Sequence, residues 1–186
     1  MTENEIKEMW QNGESVTLEC KRAKTEVPKS VWETYSAFAN TVGGVILLGI
    51  EENRKETDIK KRFQIIGVDD AQKIVKDFWN TINSDKANEN ILTGSDVDIV
   101  EINGVQIVYI HVPQADWRIK PIYLNVFVKP KPDELARMVR RENGTLKRNG
   151  NVYKGTYRRN HEGDYHCTER QVRAITDIRG WCLLCP

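Results

Sequence analysis

Long hydrophobic runs are missing from this chain. No stretch approaches the ~18 consecutive apolar residues of a membrane-spanning helix, which excludes that class. The opening MTENEIKEMW is acidic and polar and lacks the apolar centre of a secretory signal, so the expected compartment is the cytoplasm. Cysteine is scarce, with four residues, and in a reducing compartment these are expected as thiols rather than as a disulfide framework. The motif inventory is equally thin. There is no phosphate-cradling GxxxxGK(S/T) loop, no GxSxG nucleophile elbow and no HExxH helix, nor any internal repeat or low-complexity tract. Net charge is also nearly absent, at +1.

What is present is the composition of a solvated globular domain: 39% hydrophobic and 30% charged residues over 186 positions, a length that suits one domain. The charge, though close to balanced, is unevenly placed. Residues 118–160 carry twelve Lys and Arg against three acids, so this segment is +9 and the remainder −8. A basic block of this size is a reason to suspect an anionic partner; the alternative is a solvated helix and loop paired internally with the acidic remainder.

Hydrophobic spacing gives the expected elements. Residues 2–11 predict a short helix with Ile6, Met9 and Trp10 on one side, stopped by Asn12-Gly13. In GESVTLECK, residues 16–21 alternate, with Val16, Leu18 and Cys20 facing one way: a half-buried strand. Residues 28–41 repeat at helical spacing, and Gly43-Gly44 end that helix ahead of VILLGI, a strand at 45–50 buried on both faces. Strand, helix, strand with short connections predicts a parallel pair. A strand at 63–68, a helix over 71–84 capped by Asp69 or Asp70, and two strands at 96–102 and 105–112 around Asn103-Gly104 follow. Further on, the pattern predicts strands at 122–128 and 152–158, a basic-faced helix at 132–141 and a last helix at 168–178 opened by Thr168. The fold class is α+β: a small mixed sheet, with one parallel βαβ unit and antiparallel strands, flanked by helices.

Four segments in this order resemble a known family: GESVTLECKRA, SAFANTVGGVILLGIEE, QIIGVDDAQKI, and KPIYLN with VYKGTYRRNHEGDYHCTERQV. They are similar to the Schlafen-type AlbA-like domain, labelled a DNA-binding domain in bacterial transcriptional regulators. The chain departs from the family pattern in two places. Cys20 stands where phenylalanine is usual, and residues 126–150 look like a basic insertion holding seven of the twelve bases. On this reading residues 1–180 form one domain and 181–186 a tail.

The resemblance and the basic residues together offer two sets of site residues. Under a nuclease reading, Glu14, Glu19 and Glu51 or Glu52 would hold Mg or Mn, hard cations that suit carboxylates, with Lys21 beside Glu19. Glu14 and Glu19 are five residues apart, about 16 Å of straight strand, so sharing a metal requires the chain to fold back at Gly13. Against this stands the plain alternative of a solvated Glu19–Lys21 pair and a charged loop at 51–52. Under a binding reading, phosphates meet Lys154, Arg158 and Arg159 at the closing strand and Arg140, Arg141, Lys147 and Arg148 in the insertion, because the guanidinium fork matches phosphate oxygens. Alternatively, an arginine of the Arg158-Arg159 pair is matched with the Glu51/Glu52 loop, holding two strands together. Asn40 and Gly43-Gly44 read as a helix stop. Cys182-x-x-Cys185 with Cys167 is half of a zinc pattern, set against a packed apolar tail. His111, with no acid or serine at nearby spacing, reads as structural. The leading expectation is a nucleic-acid-binding domain of a transcription-regulator-like protein, its partner DNA or RNA. The alternatives are a divalent-metal nuclease and a dimerisation module acting as a homodimer.

Overall fold

The computed structural model describes residues 3–10, 15–53, 55–125 and 152–182. Helix α1 (Glu3–Trp10) precedes strand β1 (Leu18–Lys21), helix α2 (Ser30–Asn40) and strand β2 (Gly44–Leu48). Then come β3 (Ile50–Glu52), the short helix α3 (Ile59–Arg62), β4 (Phe63–Ile65), α4 (Ala71–Ile82), β5 (Val97–Ile102) and β6 (Val105–Val112). The chain closes with a helical turn α5 (Val152–Gly155), β7 (Tyr157–Asn160), β8 (Gly163–His166) and α6 (Glu169–Cys182). The class is α+β.

The main sheet has the order β1-β2-β6-β5. β1 and β2 are parallel, with Lys21 opposite Leu48, and the other neighbours are antiparallel. The apolar run at 45–48 thus occupies an inner strand, covered on both faces. One face packs on α2 and α4 through Phe38, Ile46, Val108, Ile74 and Phe78, with Trp32 stacked on Phe78 at 5.2 Å. The other lies under Ile6 of α1 and includes Leu18, Val45, Leu47 and Ile107. Asn103 (φ 53) and Gly104 (φ 76) make the tight β5–β6 turn that Asn-Gly predicts. Asp70 caps α4, accepting the Lys73 N–H at 2.9 Å. Among the described residues no helix is long and apolar enough to cross a membrane.

Three expectations are corrected. The strand foreseen at 16–21 starts at Leu18, because Ser15 and Leu18 exchange both backbone bonds across a turn that leaves Val16 exposed. The strand at 45–50 breaks at Gly49, whose φ of +97 directs β3 out of the main sheet to pair with β4. Residues 152–155 form a helical turn, not a strand. Gly155 lies on the Leu124 backbone, where a Cβ would stand 2.0 Å from the Leu124 oxygen, and its carbonyl accepts the Leu124 N–H at 2.9 Å. Tertiary packing here overrides the β propensity of Val152-Tyr153. Tyr123 and Leu124 join only isolated bridges, to Thr156 and Ala87. Residues 126–128 of that expected strand, and the helix expected at 132–141, lie outside the described residues.

Candidate nucleic-acid interface

The hairpin β7–β8 lays one face against α2 and turns the other outward. On the inner face, Arg159 has a fully buried side chain. Its Nη1 is 2.7 Å from Glu19 Oε2, an ion-pair contact out of hydrogen-bond line, and 3.0 Å from Asp164 Oδ1. Nε and Nη2 donate to the Ser15 carbonyl at 3.2 and 3.0 Å, and Nη2 also to that of Leu18 at 3.0 Å. The guanidinium stands over the Phe38 ring, 5.2 Å from its centroid. Burial disfavours the charge, and Glu19 and Asp164 more than offset it, holding the Arg159 pKa above its ordinary value. Thr34 completes the set by donating to Asp164 at 2.5 Å.

Asn40 ties the same hairpin to α2. Its Nδ2 donates to the carbonyls of Ile122 (2.7 Å) and Tyr157 (3.0 Å), while its Oδ1 accepts the Ile122 N–H at 2.8 Å. One amide at the end of α2 therefore satisfies backbone groups from two distant segments.

The expected acids lie as follows. Glu19 sits on β1 with Lys21 Nζ at 2.7 Å on Oε1, so each of its oxygens faces a cation. Glu51 pairs with Arg22 at 3.2 Å and Glu52 with Arg62 at 2.7 Å, both on the β3–β4 side. Glu19 is registered with Ile46, whereas Glu51 lies beyond Leu48 and past the Gly49 break. Glu14 lies outside the described residues. Among the described residues no three of His, Cys, Asp and Glu gather as a cation site.

The expected bases divide. Arg159 is the buried hub above. Arg158, its neighbour, is exposed and stands opposite Tyr165 in the β7–β8 register, with Tyr165 55% exposed. Exposed Lys154 lies on α5, which packs against β8 and α6, and exposed Arg170 lies in the first turn of α6. Neither Arg158 nor Lys154 makes an ion pair among the described residues. Arg140, Arg141, Lys147 and Arg148 lie outside them. Of the sulfur set, Cys167 is buried and burial pushes its thiol up, despite the nearby Arg158. Cys182 closes α6, and Cys185 lies outside the described residues.

Sequence reasoning missed two pairings. His111 does have an acid: its Nδ1 is 2.8 Å from Asp96 Oδ1. The signal was available, because the Asn103-Gly104 turn fixes a register that brings residue 96 opposite 111. Asp164, the second carboxylate on Arg159, follows from the β7–β8 turn, where Asn-His-Glu-Gly carries no comparable signal.

A search of curated proteins returns no match. Among solved structures, the chain is similar to the N-terminal domain of a RecG-related protein from Nitrosomonas europaea, named for an ATP-dependent DNA helicase. The two are 25% identical with a TM-score of 0.57, covering 90% of this chain and 94% of that one. The family model described as "Schlafen, AlbA_2" matches residues 14–152, which include β1, the α2 stop and the Gly43-Gly44 turn. The chain belongs to the Schlafen AlbA_2 family.

Proposed function

We propose that this domain binds nucleic acid through Lys and Arg contacts to phosphates, as the nucleic-acid-binding part of a transcription-regulator-like protein. The observation that carries this reading is the outward face of the β7–β8 hairpin. There Arg158, unpaired with any acid among the described residues, lies beside the exposed ring of Tyr165, while the buried Arg159 cluster holds the hairpin rigid. A charged fork next to a flat aromatic suits a phosphate with its base. Family membership and the similarity to a domain of a helicase-related protein support the same class. The +9 balance of residues 118–160 supplies the long-range attraction.

The mechanism has a signature. Each neutralised phosphate releases counterions, so affinity falls steeply with salt, by about 0.9 log per log salt per contact on a duplex. Fluorescence anisotropy of a labelled oligonucleotide titrated at several salt concentrations is expected to show this slope. Replacing Lys154 and Arg158 together by alanine is expected to weaken binding evenly across sequences and to reduce the slope by about 2. Binding that is unchanged between low and high salt refutes the phosphate mechanism.

A further inference from the structure

Among the described residues, five large apolar side chains are exposed: Val16, Val42, Trp117, Ile119 and Tyr165. Four of these come from three segments that meet at one end of the sheet. The Val45 N–H donates to the Thr17 carbonyl, joining the 15–18 turn to β2. Gly43 abuts the backbone of Val112 and Gln114, and the Ala115 N–H reaches the Ala39 carbonyl at 2.9 Å. Scattered apolar residues on a surface mean little by themselves; of these four, Val42 lines a concavity, and the other three belong to segments that adjoin it.

The concavity is a groove of about 510 Å³, lined by Ser15, Thr17, Val42, His111 and Gln114 among others, with no Asp, Glu, Lys or Arg among the described residues of its lining. His111 is held by Asp96, which also accepts the Thr93 N–H and hydroxyl, each at 2.7 Å. Burial works against the Asp96 charge, and the bonds from His111 and Thr93 overcome it, holding the carboxyl below its ordinary value. An ionised Asp96 assigns the ring proton to Nδ1 and leaves Nε2 as an acceptor. Trp117 stands three residues beyond Gln114, and the Arg118 guanidinium lies over its half-exposed ring, 5.6 Å from the centroid. Asp116 Oδ1 accepts both the Arg118 N–H (2.8 Å) and Nε–H (3.1 Å), and the Nη groups have no partner among the described residues.

We infer that this surface receives unpaired nucleotides of a single strand. Trp117 stacks on a base, Arg118 forks the adjoining phosphate, and the groove accepts a neighbouring base through His111 and Gln114. The inference rests on the nucleic-acid reading and adds the class of strand. In a duplex the base faces are already stacked, so an exposed indole gains nothing from them; in a single strand they are free. The described lining offers no cation to take a phosphate or carboxylate, yet has donors and acceptors between apolar walls, which is the chemistry of a neutral heterocycle.

The test compares the full chain's affinity for a short oligothymidylate and for the same strand paired with its complement, by anisotropy at matched salt. The single strand is expected to bind more tightly. Trp117→Ala is expected to weaken it by about 5- to 150-fold, the range for one lost stacking contact, while leaving duplex binding and melting temperature unchanged. Val42→Trp, at an exposed position on the groove wall, is expected to weaken the single strand alone. If neither oligonucleotide binds at low salt, the nucleic-acid reading itself fails. If both bind equally and Trp117→Ala changes neither, binding stands and the single-strand assignment is overturned. Self-association abolished by Trp117→Ala, without strand preference, overturns it in favour of an interface between copies of the chain.

Discussion

Replacing Arg159 with methionine isolates the energetics of the hairpin anchor. Methionine keeps an unbranched apolar side chain but removes the guanidinium, with its stacking over Phe38 and every one of its polar contacts. Glu19 keeps Lys21 at 2.7 Å and Asp164 keeps Thr34 at 2.5 Å, so neither carboxylate is wholly stranded. Each loses its Arg159 partner, however, and the Ser15 and Leu18 carbonyls lose the guanidinium donors, keeping the backbone N–H each takes from the other. Removing one member of a buried ion pair costs about 3–5 kcal/mol, because the remaining charge stays desolvated. That is a large share of a stability of about 5–15 kcal/mol, yet small enough for the variant to fold. Urea denaturation followed by tryptophan fluorescence is expected to show this loss with an unchanged m value. Arg159→Lys is expected to recover less than half, since one ammonium cannot reach two carboxylates and two carbonyls in the fork geometry. A loss below about 1 kcal/mol, the range of exposed pairs, would show that the cluster is solvated and would refute the argument.

Two further outcomes follow from the geometry. The Tyr35 hydroxyl donates to the Glu89 carbonyl (2.9 Å) and accepts the Ile91 N–H (3.0 Å), and burial, with Glu89 adding to it and Ile91 opposing, raises its pKa from 10.0 to about 12. The folded chain holds this proton more tightly, so the contribution is complete below pH 10 and lost as pH rises toward about 12. Tyr35→Phe is expected to cost about 1–3 kcal/mol at neutral pH and to flatten the alkaline fall in chemical stability, part of which persists through Tyr157; an unchanged fall would exclude Tyr35 as its source. Gly43 (φ +80) and Gly104 (φ +76) share a left-handed backbone, but a Cβ at Gly43 would stand 2.9 Å from Gln114 N and Val112 O, whereas Gly104 faces open space. Gly104→Ala is expected to cost about 1–2 kcal/mol and Gly43→Ala clearly more. Equal losses on thermal melting would mean that the contact with residues 112–114 is not what requires glycine.

Much of this architecture was legible because its causes are local. Asn103-Gly104 dictates a turn, VILLG dictates a strand covered on both faces, and Asp70 offers a cap. The errors fell where a distant segment decides the local conformation. Val152-Tyr153 favours a strand until Gly155 must pass the Leu124 backbone, and the VILLGI run reads as one strand until Gly49 adopts a positive φ against Gly67. Arg158 and Arg159 are the clearest case. As neighbours in sequence they look equivalent, yet one faces solvent beside Tyr165 and the other is buried among Glu19, Asp164 and Phe38.

By itself the sequence determined the periods: which residues are apolar, where the chain must turn, and which segments are basic. These fix element types, the parallel β1–β2 unit and the family, because each depends on contacts within a few residues or on an ordered set of motifs. Which charge meets which was decided only by the tertiary structure. Glu19 and Arg159 are separated by most of the chain, and it is the packing of β7 on α2 that brings them together in a site too dry for either to be left alone. GESVTLECK is therefore, at Glu19 and Lys21, half of an ion cluster whose other half is the closing hairpin.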